Sequence, residues 1–210
     1  MGMGRPRGFD LDEAVDRAME VFWAKGYDGA SVADLTHAMG INAPSLYAAF
    51  GSKEGLFRAV LDRYASKRIP FLDEALRAPS ARETVERLLA SAARLYAEDE
   101  EQRGCLLVQG GLTCGCAAVS DELAKRRARL ETILRDRFAK AVEAGDLDPA
   151  ADLTTLARYI VSVLNGMGIQ AAGGASRADL EAVASVALKA FPEAPHEAAE
   201  PALASSGHGS

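Results

Sequence analysis

"GASVADLTHAMGINAPSLYAAFGSKEGLF" occupies residues 29–57. Strong helix formers fill it, yet Gly40 and Gly51 interrupt it at close range. Each glycine is followed by a residue that starts helices. Ser31 is placed to cap a second, short helix, Asn42 a third, and Ser52 a fourth that begins at Lys53. A side-chain oxygen at such a position takes up N–H groups that the first helical turn leaves unpaired. Pro44 falls in the first turn of the third helix, where its missing N–H costs nothing. The stretch therefore reads as helix, sharp turn, helix, sharp turn, helix. The turn "MGIN" joins the second to the third, and Gly40 supplies the left-handed backbone of a tight bend. Leu35, Met39, Ile41 and Leu46 are spaced to pack the two helices on each other and on a preceding one. That is the pattern of a helix-turn-helix. If Leu46 and Phe50 face inward, Ala43, Pro44, Tyr47 and Ala48 face outward.

The preceding helix shows the same logic. Leu11, Ala14, Val15, Ala18 and Phe22 follow a period of 3.6 residues. Asp10 is its expected cap, with Glu13 at capping-box spacing, and Gly26 its expected stop. Further helices are expected at 53–66, 71–77, 81–98, 105–112, 121–144, 151–171 and 177–191. No alternating β-branched run stands out, so the fold class is all-α. After Phe191 the chain turns to Pro, Ala, Glu and Ser, and 192–210 is expected to be a disordered tail.

The chain has 210 residues, a net charge of -6 and 49% hydrophobic residues, enough for a sizeable core. No apolar run is long enough to span a membrane, and the first residues lack an apolar signal core. A soluble cytoplasmic protein is expected. Basic and acidic side chains balance up to Arg68, so the acidic excess lies beyond it. The motifs of zinc proteases, serine hydrolases and P-loop enzymes are absent, which argues against an enzyme. No cofactor is expected.

A helix-turn-helix presents its second helix to the major groove of DNA. Lys53 then has a reason. It stands at a helix N-terminus, where free N–H groups already favour an anion. Tyr47 and Lys53 together would clamp a phosphate. Arg5 and Arg7 form a short basic arm suited to a phosphate or a minor groove. The expected DNA-facing set is Arg5, Arg7, Ser31, Asn42, Ala43, Pro44, Ser45, Tyr47, Ala48 and Lys53.

With its upstream "FWAKGYDGASV" and its "LYAAF" and "SKEGLF", this region resembles the DNA-binding part of TetR-type bacterial transcriptional regulators over residues 9–64. Thr36 departs from the alanine often found there, and Ala48 and Ala49 replace bulkier polar residues. The resemblance implies a DNA-binding domain at 1–52 and a helical effector-binding and dimerisation domain at 53–191. It implies a homodimer that represses by binding double-stranded operator DNA and lets go when a small effector binds. It also implies that the last two helices form the dimer face, assigned to Leu153, Leu156, Ile160, Leu164, Gly168, Leu180, Ala184 and Leu188.

Candidate effector linings are Phe57, Leu61, Tyr64, Leu89, Tyr96, Leu107, Gln109, Leu112, Phe138 and Tyr159. Few are charged, so a mainly apolar effector is expected. Cys105, Cys114 and Cys116 supply the alternative, a regulator that senses oxidants or a soft metal through Cys114 and Cys116. Against it, no histidine lies near and the segment offers too few ligands for zinc. Small buried hydrophobes are the default for such cysteines, and no metal site is expected.

Overall fold

Asp10 starts the first helix by accepting the N–H groups of Asp12 and Glu13 at 2.8 and 3.3 Å. In this computed structural model, residues 10–98, 104–110 and 115–194 are described, apart from the side chains of Arg68 and Ile69. The described residues form nine helices and no strand, so the all-α expectation holds. They are α1 (Leu11–Gly29), α2 (Val32–Met39), α3 (Ala43–Phe50), α4 (Lys53–Leu76), α5 (Ala81–Ala97), α6 (Leu106–Gln109), α7 (Ala117–Glu143), α8 (Leu153–Ala172) and α9 (Arg177–Ala190). α1 is regular up to Gly26, whose backbone leaves the helical region. Arg5, Arg7, Leu112, Cys114 and the 195–210 part of the expected tail lie outside the described residues.

Two apolar cores divide the chain. The first gathers Phe22 from α1, Leu35 from α2, Leu46 from α3, and Leu56, Phe57, Val60 and Leu61 from α4. It continues past residue 52, because Cys105, Leu106, Val108, Val119 and Leu123 join it. The second gathers Val85 and Leu89 of α5, Leu134 and Phe138 of α7, Ile160 and Leu164 of α8, and Leu180 of α9. Each fully buried Leu or Phe contributes about 1.5–3 kcal/mol relative to exposure. The whole first half of α4 thus belongs to the core of the N-terminal helices, and its end, with Ala75, to the second core.

Three expected boundaries change. The helices expected at 53–66 and 71–77 are one, because α4 runs through Pro70. Proline inside a helix costs ~3 kcal/mol or more. Packing beyond it, by Leu72, Ala75 and Leu76 against the second core, offsets that cost. The helix expected at 105–112 is the short α6. The one expected from 121 begins at Ala117, with Cys116 at the cap position but giving no side-chain bond to the helix's own N–H groups.

Candidate nucleic-acid interface

Gly40 sits at φ 66° and ψ 28°, the left-handed conformation that the bend after α2 requires. Its N–H donates to the His37 carbonyl at 3.2 Å, and Ile41 donates to Thr36 at 3.0 Å. α2 itself is fixed at its start by a reciprocal cap. The Ser31 hydroxyl donates to the Asp34 carboxylate at 2.7 Å, and the Asp34 N–H returns a bond to it at 3.0 Å. Lys25 of α1 also reaches Asp34, at 2.6 Å. The Lys25 hydrogen bond, followed by those from Ser31, holds the Asp34 carboxyl far below the usual carboxylate range.

α3 begins at Asn42, whose Oδ1 accepts the Ser45 N–H at 2.9 Å. Leu46 is fully buried. Pro44, Tyr47 and Ala48, spaced three and four residues apart, are exposed on the opposite face. Tyr47 is 49% exposed, a large aromatic surface for a helix of eight residues. Ala43 and Ser45 are half-buried, and Asn42 is exposed.

The junction of α3 and α4 leaves no room for a side chain at residue 55. A Cβ there would fall on the carbonyl oxygen of Phe50. Glycine lets the first turn of α4 sit against the end of α3. Ser52 caps that turn, its hydroxyl accepting the Gly55 N–H at 3.0 Å. The Lys53 ammonium lies 4.4 Å from the centroid of the Tyr27 ring. Sequence spacing did not single out Tyr27; its only signal was its place in "KGYDG".

Ion pairs then tie this head to the rest of the chain. Arg63 of α4 holds both carboxylate oxygens of Asp16 on α1, at 3.0 and 2.8 Å, and Lys67 adds a third contact at 2.9 Å. On the adjacent residue, Asp62 pairs with Arg126 of α7 at 2.7 Å. The Gly115 N–H donates to Asp28 of α1 at 2.7 Å. The Cys116 thiol donates to Glu54 of α4 at 3.6 Å.

The described effector candidates are distributed over the two cores. Phe57 packs in the first core on the rings of Phe22 and Tyr27, with Leu61 beside it. Tyr64 donates to Cys105 Sγ at 3.5 Å, and Leu107 lies against the same core. Leu89 and Phe138 are buried in the second core, and Tyr159 donates to the Ala187 carbonyl at 3.3 Å. Tyr96 packs against both cores. Gln109 points its amide nitrogen at Gly104.

The residues assigned to the dimer face divide as well. Ile160, Leu164, Gly168 and Leu180 are buried within the chain's own fold, Gly168 directly against Cys105. Leu153, Leu156, Ala184 and Leu188 are half-buried against the second core. The large apolar side chains that α8 and α9 expose are Ile169, Val183 and Val186, at 47%, 44% and 67%. Among the described residues no group of His, Cys, Asp and Glu has the arrangement of a metal site, and no helix is long and apolar enough to cross a membrane.

A sequence model of bacterial regulatory proteins, tetR family, matches residues 14–60, which run from α1 into α4. The HTH-type transcriptional repressor ComR of Escherichia coli (strain K12) is 35% identical over 90% of this chain and 92% of its own length. The repressor BdcR of the same organism is 43% identical over 51% of this chain and 55% of its own. A cysteine mutant of the TetR family regulator CifR, solved with 26-bp operator DNA, is 45% identical. It matches with a TM-score of 0.85 over 90% of this chain and 100% of that one. The chain belongs to the TetR family of DNA-binding transcriptional regulators.

Proposed function

We propose that the protein is a homodimeric, cytoplasmic repressor whose α3 helices bind double-stranded operator DNA and which a small, mainly apolar effector releases. The observation that carries the reading is the outward face of α3. Pro44, Tyr47 and Ala48 are exposed there, on a helix whose inner face is anchored by the fully buried Leu46. The comparisons support it, because a structure 45% identical to this chain holds operator DNA. Within the head, Tyr47, Lys53 and the Arg5–Arg7 arm contact phosphates, and Asn42, Ala43, Pro44, Ser45 and Ala48 lie nearest the base edges. Phosphate contacts give affinity, and edge contacts give choice. Ser31 takes a supporting role, since its hydroxyl holds the cap of α2.

A second copy provides the second reading helix, so that two half-sites about one helical turn apart are read together. The surface that supports pairing is the exposed apolar side of α8 and α9, with Ile169, Val183 and Val186. Effector action between the cores is supported by Tyr96, which packs against both, and by Tyr64, which meets Cys105. A gel shift with the DNA upstream of the protein's own gene tests the reading. Retarded, sequence-dependent complexes are expected. No shift at low salt, with folded protein, would rule it out.

A further inference from the structure

Lys53 is an awkward residue for its position. A cation at the N-terminus of α4 meets the positive end of the helix dipole, which repels it. A lysine stem carries large rotamer freedom, so nothing local would keep this ammonium near the first turn. The structure supplies an answer from another helix segment. Tyr27, just after the break at Gly26 in α1, lays its ring under the ammonium at 4.4 Å. The negative face of an aromatic ring attracts a cation at this range. No carboxylate of the described residues pairs with Lys53. The ring is itself immobilised: it is only 8% exposed, stacks nearly parallel to Phe22 (7° between planes, centroids 6.1 Å apart), and tilts on Phe57 at 5.2 Å. These rings belong to the core that also seats α3 through Leu46.

We propose that Tyr27 is a positioning residue for DNA binding, whose ring face holds the Lys53 ammonium where it meets a backbone phosphate. The proposal rests on the reading of Lys53 as a phosphate contact and adds the residue that orients it. A cation–ring contact leaves the outer side of the ammonium free, so the same lysine holds ring and phosphate together. An acidic partner in place of the ring would neutralise the charge that the phosphate needs.

The test needs no operator, because phosphate contacts are independent of sequence. Full-length protein is titrated with a nonspecific DNA duplex across a salt series, in the wild-type and Lys53→Ala backgrounds. Residue 27 is varied through Tyr27→Phe and then fluorinated phenylalanines that keep the ring's shape while draining its negative face. A Tyr27→Leu variant is included and its folding followed by circular dichroism. With Lys53 present, Tyr27→Phe is expected to bind within about twofold of wild type, since an unsubstituted ring still attracts a cation. Affinity should then fall with each added fluorine, to roughly 3–10-fold below wild type at full fluorination. In the Lys53→Ala background the series should be flat. A flat series with Lys53 present, or an equal decline without it, overturns the proposal. If Lys53→Ala leaves both affinity and salt slope at wild-type values, the phosphate reading itself fails, and the positioning role with it.

Discussion

Asp16 on α1 is gripped through both carboxylate oxygens by Arg63 on α4. The contact joins the first helix of the head to the helix whose far end lies in the second core. The Arg63 hydrogen bond, with help from Lys67, lowers the Asp16 carboxyl to about 2 from an ordinary 3.8. A carboxyl with a depressed folded value stabilises the fold fully above its unfolded value, and that contribution is lost as pH falls through the folded one. Asp16→Asn should cost about 1 kcal/mol near neutral pH, at the upper end for a partly exposed pair. Chemical denaturation at several pH values checks it. The gap between wild type and variant should close between about pH 4 and pH 2, and a gap constant over that window would contradict the assignment.

Gly55 makes a second prediction. Alanine is the better helix former in general, by about 1 kcal/mol. Here its Cβ would strike the Phe50 carbonyl, which is backbone and cannot swing aside. Gly55→Ala should therefore destabilise the protein by about 1–3 kcal/mol, as overpacking does. DNA affinity should fall too, since α3 must shift. Thermal melts and a DNA titration on the same sample test this; a stabilised variant would show that the junction is looser than the structure has it.

For the proposed dimer, the buried and exposed parts of α8 and α9 separate two outcomes. Val186→Glu changes a side chain 67% exposed in the single chain. It should give a folded monomer by sedimentation with greatly weakened DNA binding. Leu164→Glu places a charge in the chain's own core, where Leu164 is 4% exposed, and should abolish folding instead. A Val186→Glu protein that stays dimeric would move the interface elsewhere.

The thiols allow a fourth test. Cys116 is half-buried with its thiol on Glu54, and Cys105 is buried with its sulfur on the Tyr64 hydroxyl. Neither lies on α3. A Cys114→Ser/Cys116→Ser protein should bind DNA as wild type does, within about twofold by the usual size of neutral surface changes. If wild type is released from DNA by oxidant or Cu(I) and this variant is not, sensing through these thiols replaces the apolar effector.

The contrast between α3 and α7 explains what was legible in the sequence. Ser31, Asn42 and Ser52 announce helices because each makes a local cap, and local rules need no tertiary information. The start of α7 gave no such signal, because the Cys116 side chain makes no capping bond to the helix's first turn. Pro70 looked like a break because only packing beyond it keeps α4 continuous. The stripe with Ile160 and Leu164 marked a buried face, yet period alone does not say whether the chain itself or a second copy covers it. For the same reason Phe57 and Phe138 looked equivalent as linings, although they sit in different cores. Tyr27 was hidden because a contact between α1 and α4 has no sequence period.

The most direct measurement of the central claim compares Lys53→Ala and Ser45→Ala with wild type, on upstream and scrambled DNA, over a salt series. If the outward face of α3 reads DNA while the start of α4 holds the backbone, Lys53→Ala weakens binding to both duplexes alike. It also lowers the salt slope by roughly one to two units for a dimer. Ser45→Ala costs ~1 kcal/mol on upstream DNA alone and blurs one position in each half-site. A Lys53→Ala protein with altered sequence preference and an unchanged salt slope would contradict this division of the head.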